Sequence, residues 1–181
     1  MDLFKLLGSL ENNDDIHLAR IIILLHSFTA KDGGSINGLT KLAKLDFLLR
    51  YPVYLEFALA VKGGPTNKVE IKEHERKSVE SRMVRFRYGP WDYRYRRFIN
   101  LLVSKGLAKV ELNGKTIKLS LTENGMQIAG SLADQSMFAD MVQRSKLLKR
   151  FFNQQGTTLM RFIYKTFPDI ATLRQGEEIR K

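Results

Sequence analysis

The stretch LLVSKGLAKVELNGKTIKLSLTENG, residues 101–125, carries the signals that decide the fold. Gly106 follows an apolar run and is placed to end a helix in a left-handed conformation. Apolar and polar residues then alternate on both sides of Asn113-Gly114, a pair that favours the tight turn of a β-hairpin. Thr122 is placed to cap a further helix. The stretch therefore predicts a helix, a β-hairpin and a second helix in succession.

The residues before this stretch predict a short strand and an amphipathic helix. Polar and apolar residues alternate over residues 83–88, which is typical of a half-buried strand, and Gly89-Pro90 is expected to end it. Asp92 stands in the first turn of the helix that follows, where an acidic side chain is favourable. The apolar stripe of that helix consists of Tyr95, Phe98, Ile99, Leu102 and Val103.

Further upstream, the first 61 residues predict helices joined by short connections. Apolar residues recur at helical spacing over residues 16–28 and again over residues 39–49. Pro52 interrupts the second run, and a short helix over residues 54–61 is expected to follow. Residues 62–78 are polar, charged and rich in turn-forming residues, so we interpret them as a loop or a mobile insertion.

Helix, hairpin and capped helix in this order is the winged-helix arrangement, and residues 82–133 resemble the winged-helix regulators of the MarR and PadR kind. The resemblance implies a mostly α fold with a small β-hairpin wing. It places a winged-helix domain over residues 1–133, including the charged loop 62–78, and a C-terminal helical extension over residues 134–181. It implies much less about function, because winged helices bind DNA, RNA or proteins.

The composition excludes several classes of protein. The chain has 181 residues and no cysteine, so disulfides, thiolate nucleophiles and Cys-ligated metal sites are absent. The longest apolar run, residues 21–25, is far too short to span a bilayer, and the first ten residues lack a secretory cleavage pattern. We therefore expect a soluble cytoplasmic protein with no membrane partner.

The net charge of +11 is concentrated in one segment of the chain. Residues 61–121 contain 15 Lys and Arg against six Asp and Glu, whereas residues 1–60 are close to neutral. Local pairing with Glu80, Asp92 and Glu111 would leave most of these cations without an acidic partner, so a working surface is favoured over a merely solvated one. Whether that surface meets DNA or an acidic protein face stays open. The predicted nucleic-acid-binding residues are Arg82, Arg85, Arg87, Arg94, Arg96, Arg97, Lys109, Lys115 and Lys118.

The sequence lacks the residue sets that catalysis would need. Residues 33–38 have the spacing that opens a P-loop, but Leu39-Thr40 follows where Lys-Ser/Thr is required. Glu70-Ile71-Lys72 imitates half of a nuclease site without the further carboxylates of a two-metal centre. The three histidines do not have the spacing of metal ligands. We therefore predict a protein that is not an enzyme, with no catalytic residues, no metal and no cofactor.

Two amphipathic stretches follow residue 133. Residues 159–167 are apolar nearly all round, which is unusual for a helix exposed on a small monomer. Packing against the rest of the domain and docking on a partner subunit explain this pattern equally well. The docking interpretation assigns the partner contact to Phe151, Phe152, Leu159, Phe162, Ile163 and Phe167.

A second resemblance concerns function. Residues 39–52, LTKLAKLDFLLRYP, and residues 87–95, RYGPWDYRY, are similar to the small middle subunit of ABC-three-component systems, which include the Lamassu-type antiphage systems. The resemblance implies a non-catalytic partner of an SMC-like ATPase subunit and of an effector subunit, often a nuclease, with double-stranded DNA reached through the complex. The alternative is a free-standing winged-helix transcription regulator, normally a dimer that binds a palindrome.

Overall fold

The computed structural model describes residues 14–29, 33–77, 84–86 and 89–174. This part of the chain is mostly helical, and it contains no helix long and apolar enough to cross a membrane. The helices are α1 (Asp14–Thr29), α2 (Leu39–Arg50), α3 (Pro52–Val61), α4 (Glu73–Lys77), α5 (Tyr95–Ser104), α6 (Glu123–Ala133), α7 (Ala139–Phe152), α8 (Gly156–Thr166) and α9 (Pro168–Thr172). Short 3₁₀ helices lie at Thr66–Lys68 and Ser136–Phe138.

The described strands form a small antiparallel sheet and a separate ribbon. Strands β4 (Ala108–Asn113) and β5 (Thr116–Leu121) are the predicted hairpin, and β1 (Ile36–Asn37) pairs with the other edge of β5. The strand order is therefore β1-β5-β4. Strands β2 (Val84–Phe86) and β3 (Gly89–Trp91) pair only with each other among the described residues. The expectation of a mostly helical chain with a small hairpin is confirmed.

The turn and cap signals of the sequence act as predicted. Gly106 ends α5 with a φ of 67°, and Gly114 has a φ of 61° in the hairpin turn. Both angles lie in the left-handed region that glycine adopts most readily. The hydroxyl oxygen of Thr122 accepts a hydrogen bond from the backbone N–H of Gly125 at 3.0 Å and so caps α6.

Helix α2 lies at the centre of the core. Every residue from Lys41 to Arg50 is buried, so neighbouring elements cover this helix on all sides. Helix α1 is buried from His17 to Leu25 and again at Phe28. Tyr95 and Phe98 of α5 and Leu119 of β5 complete the same apolar cluster.

The C-terminal helices belong to this core. Leu148 and Phe152 of α7 and Leu159 and Ile163 of α8 lie in the same hydrophobic cluster as α1 and α2. The core is therefore continuous across residue 133. Helix α8 is amphipathic, because Leu159 and Ile163 are buried whereas Lys165 is exposed. The interpretation of residues 159–167 as apolar nearly all round is wrong: their apolar side chains gather on one face.

Gly89-Pro90 was expected to end a strand, but these two residues instead begin a second strand that pairs antiparallel with the first. Val84 pairs with Trp91, and Phe86 pairs with Gly89, so residues 89–91 form the second strand of the ribbon. Each strand of a two-stranded ribbon has one open edge, where the missing N–H of a proline can be accommodated. Trp91 then packs edge-on against Tyr95, with ring centroids 5.5 Å apart.

The charged segment after α3 is anchored, in contrast to the mobile insertion that its composition suggests. Val69 is fully buried. The guanidinium of Arg144 on α7 donates hydrogen bonds to the main-chain oxygens of Val69 at 2.9 Å and Glu70 at 2.8 Å, and it pairs with the carboxylate of Glu75 at 2.7 Å. The buried guanidinium of Arg144 therefore ties the 3₁₀ turn and α4 to α7.

Candidate nucleic-acid interface and the buried charge network

Asp46 is a fully buried carboxylate at the centre of a charge network. Arg20 Nε donates a hydrogen bond to Asp46 Oδ1 at 2.6 Å, and the Tyr95 hydroxyl donates one to Asp46 Oδ2 at 2.6 Å. Arg50, one turn further along α2, lies 3.4 Å from Asp46 Oδ2. An isolated charge in the core would be very costly, so these three donors are what stabilises the carboxylate there.

The network continues through Arg50 to Asp92, which precedes α5. Arg50 Nη2 lies 3.1 Å from Asp92 Oδ2, and Arg94 Nη2 lies 2.8 Å from the same oxygen. Asp92 Oδ1 also accepts a hydrogen bond from the backbone N–H of Arg94 at 2.9 Å, as in a local Asx turn. The two carboxylates thereby join α1, α2 and the start of α5.

The protonation states follow from burial and from the neighbouring charges. Burial alone would raise the pKa of Asp46, but Arg20 and Arg50 hold it below its ordinary value. Burial would also raise the pKa of Asp92, but Arg94 and Arg50 outweigh this effect and hold the pKa well below the usual range. Burial, reinforced by the charge of Asp46, raises the pKa of Tyr95 well above its ordinary value. At neutral pH both carboxylates are ionised and the phenol is protonated.

Helix α5 exposes two cations on the side away from this network. Arg96 and Arg97 are exposed, whereas Tyr95 and Phe98 face the core. Arg97 forms an ion pair with Asp14 at the start of α1, and its guanidinium lies 5.6 Å from the centre of the Phe98 ring. Arg96 forms no ion pair with any residue that the structure describes.

The hairpin adds further cations beside α5. Lys109 Nζ pairs with Glu111 Oε1 at 3.0 Å along β4, and Lys118 lies opposite Glu111 on β5. Lys115 is exposed in the turn. A cavity of about 210 Å³ opens on this polar side, between the hairpin and Ser35. The polar face of the hairpin thus carries more positive than negative charge.

The nine cations predicted for this interface have different surroundings. Arg82 and Arg87 lie outside the described residues, and Arg85 lies in β2. Arg94 is half-buried and held by Asp92, so it forms part of the internal network. The described cations that remain on the surface of α5 and the hairpin are Arg96, Arg97, Lys109, Lys115 and Lys118.

Local pairing accounts for some of these charges. Of the acids named from the sequence, Asp92 and Glu111 do pair with nearby cations, and Asp14 of α1 adds a pairing that the sequence did not indicate. The pairs Lys109–Glu111 and Arg97–Asp14 are solvent-accessible and contribute little energy, so an anionic ligand can replace them readily, whereas the pairs of Asp92 are buried. Lys115 and Lys118 form no ion pair within the described part of the chain.

The six residues predicted for partner docking divide by burial. Leu159, Ile163 and Phe167 recur every four residues on the inner side of α8 and its C-terminal end, and like Phe152 they are buried in the core. A partner cannot reach these four in this conformation. The half-buried members of the set are Phe151 and Phe162.

Two buried lysines on α2 were missed from the sequence. Lys44 is 2% exposed, its Nζ donates to the main-chain oxygen of Thr40 at 3.1 Å, and burial lowers its pKa to about 8. Lys41 donates to Asn153 Oδ1 at 2.8 Å, and burial together with the charge of Lys149 lowers its pKa. A lysine of lowered pKa is a candidate nucleophile, but the burial of Lys44 closes it to a substrate here. Both lysines stand between the leucines of an apolar helix, and this position was the sequence signal that they would be buried.

The motifs that imitate catalytic sites have structural contacts. Lys72 pairs with Asp140 on α7 at 2.7 Å, and the main chain of Glu70 accepts a hydrogen bond from Arg144. Residues 33–38 contain strand β1. No group of three or more His, Asp or Glu within the described ranges is arranged to hold a metal ion.

The fold and this surface define a small, basic, mostly helical protein with an exposed cationic hairpin. Comparison with protein-family models, with curated proteins and with solved structures yields no match.

Proposed function

We propose that this chain is a non-catalytic accessory subunit of an SMC-like ATPase complex of antiviral defence, which links the ATPase to an effector nuclease and presents a basic surface to double-stranded DNA. The observation that carries the proposal is the contact between the two stretches that resemble the middle subunit of ABC-three-component systems. Residues 39–52 and residues 89–95, the described part of the second stretch, are joined by the Tyr95–Asp46 hydrogen bond at 2.6 Å and the Arg50–Asp92 ion pair at 3.1 Å. The two stretches therefore form one structural unit.

The order of the elements supports a winged-helix domain within this subunit. Strand β1 lies between α1 and α2 and pairs with β5, so the hairpin extends a sheet that is attached to the helices. Helix α5 comes directly before the hairpin, where a winged helix has its recognition helix. The exposed side chains of α5 include Arg96 and Arg97.

The character of the exposed cations favours phosphate contacts over the reading of bases. Arg96 and Lys115 are exposed and Lys118 is half-buried, and none of the three forms an ion pair among the described residues. They lie on two adjacent elements, α5 and the hairpin. Lys and Arg side chains spread over a surface neutralise phosphates and position a duplex without identifying its sequence. The proposed role of this face is therefore sequence-tolerant attachment to DNA.

Membership of the complex is tested by co-expression with the products of neighbouring genes. We expect those genes to encode a large ATPase with coiled-coil heptads and a nuclease, and the three products to co-purify. Phe162→Asp should weaken this co-purification, because buried aromatic anchors commonly dominate such contacts at about 2 kcal/mol or more each. Thr158→Asp, at an exposed position of the same helix, is the matched control.

Thermal melting of both variants separates docking from stability. If Phe162→Asp stays folded and still co-purifies, the interface lies elsewhere on the chain. A chain that binds one palindromic operator in preference to all other duplexes, and that co-purifies with neither neighbouring product, would contradict the subunit proposal and favour the free-standing regulator.

Duplex binding by the isolated chain is expected to be salt-dependent and independent of sequence. The double variant Arg96→Glu/Lys118→Glu should weaken binding to all duplexes about tenfold or more. It should also reduce the slope of log affinity against log salt by about 0.9 for each phosphate that is no longer neutralised. Fluorescence anisotropy over a salt titration measures both quantities.

The matched control is Arg161→Glu/Lys165→Glu, which makes the same change of charge at exposed positions of α8. Equal losses of affinity in the two double variants would mean that net charge, and not the α5–hairpin face, determines binding. A strong preference for one sequence that persists at high salt would also contradict a phosphate-binding role.

A further inference from the structure

Strand β4 is the edge of the three-stranded sheet, and no described strand covers its outer side. The order β1-β5-β4 leaves β5 paired on both sides and β4 paired on one. All residues of β4 after Ala108 are exposed. Val110 is 41% exposed and Leu112 is 84% exposed, so the apolar side of the hairpin is uncovered toward its tip. Natural proteins rarely leave an apolar edge of this kind open.

The direction of the backbone groups along β4 follows from two hydrogen bonds of the sheet. The N–H of Thr122 donates to the main-chain oxygen of Leu107, and the N–H of Gly38 donates to that of Ile117. Backbone groups in an antiparallel pair point alternately toward and away from the partner strand. Lys109, Glu111 and Asn113 therefore bond to β5. The residues whose N–H and C=O point to the open edge are Ala108, Val110 and Leu112.

We propose that β4 pairs in an antiparallel register with β4 of a second copy of this chain, with Val110 on the twofold axis. In this register Val110 opposes Val110, and Ala108 opposes Leu112 of the second copy. All of these residues point their backbone groups outward, so each forms a hydrogen-bonded pair. Their side chains also share the apolar face, which continues across the junction.

The charges on the other face are complementary in the same register. Lys109 of one copy lies opposite Glu111 of the second copy, and the twofold axis repeats this pair. Opposite charges directly across two strands are favourable, whereas like charges are unfavourable. A slip of two residues would place Lys109 against Lys109 or Glu111 against Glu111. The sequence of β4 is thus self-complementary in one register, which is why a second copy is the occupant that fits this edge.

Pairing of the two edges would give one six-stranded sheet from two copies. The polar face of that sheet would carry Lys115 and Lys118 from both hairpins. Self-association of this kind is independent of the proposed function, because its test involves neither DNA nor an ATPase.

The experiment is sedimentation velocity on the full chain over a ~100-fold range of protein concentration. The average sedimentation coefficient of a reversible dimer rises as the protein concentration rises. Lys109→Glu and Glu111→Lys should each weaken the dimer about tenfold, since each places like charges opposite one another twice. An equimolar mixture of the two variants should restore the dimer, because the copy with two acidic side chains at positions 109 and 111 then faces the copy with two basic ones.

A second pair of variants tests the backbone contact. Val110→Pro removes an N–H that points outward and leaves the bonds of β4 to β5 in place, so it should abolish the dimer while the chain stays folded by circular dichroism. Val110→Thr keeps the N–H and the β-branched shape, and it should retain the dimer. A monomeric parent chain, a dimer that survives Val110→Pro, or a charge-swapped mixture that stays monomeric would each overturn the proposal.

Discussion

Replacing Asp46 by Asn is expected to lower the free energy of unfolding by about 4 kcal/mol, because removing one member of a buried ionic network leaves its partners uncompensated. The carboxylate is fully buried, and it accepts from Arg20, Arg50 and Tyr95. Asparagine has the same shape but only one acceptor oxygen and no charge. Urea unfolding of the parent chain and of Asp46→Asn measures the difference.

The matched control is Asp140→Asn, which breaks the more exposed pair with Lys72. That change should cost less than about 1 kcal/mol, as is usual for surface ion pairs. If both variants lose the same small amount of stability, the buried network contributes no more than a surface pair, and the expectation is wrong.

The pH dependence of the Asp46 variant has a defined sign. The folded state lowers the pKa of Asp46 below its unfolded value of 3.8, so the contribution of this group is fully present above that value. It is lost as the pH falls through the lower folded pKa. The gap between the parent chain and Asp46→Asn should therefore stay constant from mildly acidic to neutral pH and close only in strong acid.

Gly125→Ala is expected to destabilise the chain by about 3 kcal/mol or more through overpacking against the backbone. A Cβ added at Gly125 would lie 1.9 Å from the main-chain oxygen of Leu107 and 2.9 Å from its carbonyl carbon. Neither atom can rotate away, because Leu107 joins α5 to β4 and its oxygen accepts from Thr122. The variant should also displace the hairpin from α6 and weaken duplex binding.

Gly130 supplies the control in the same helix. A Cβ there would meet nothing within 4 Å. Gly130→Ala should therefore stabilise α6 by about 0.5–1 kcal/mol, the ordinary gain from replacing glycine in a helix interior. Thermal unfolding should thus move in opposite directions for the two variants. Equal changes would show that helix propensity, and not the approach of Leu107, governs position 125.

Local signals explain why the hairpin and its neighbours could be predicted. The turn at Gly114, the helix end at Gly106 and the cap at Thr122 each depend on the residue itself and a few neighbours along the chain. Strand β1 was missed, because two residues have no periodicity and Ile36 becomes a strand residue only through its pairing with Leu119.

The candidate site could be predicted only in part, because the contacts of its charged residues depend on how distant parts of the chain pack together. The excess of cations in residues 61–121 is visible in the sequence, but the partners of individual cations are not. Arg94 and Asp92 are neighbours along the chain, whereas Arg97 and Asp14 meet only when α5 docks on α1. Asp46 and Arg50 within a leucine-rich helix were the sequence signal of the buried network, since charges there need partners from other elements.

The contacts of Arg144 have a consequence for motion. Its guanidinium accounts for hydrogen bonds to Val69, Glu70 and Glu75, and Arg144 itself is buried on α7. Lifting residues 62–77 away from α7 would leave a buried cation without its acceptors, so this opening is strongly opposed. The segment and the helix should therefore shift together as a single body in any rearrangement, and slow hydrogen exchange should extend from the core into the insertion.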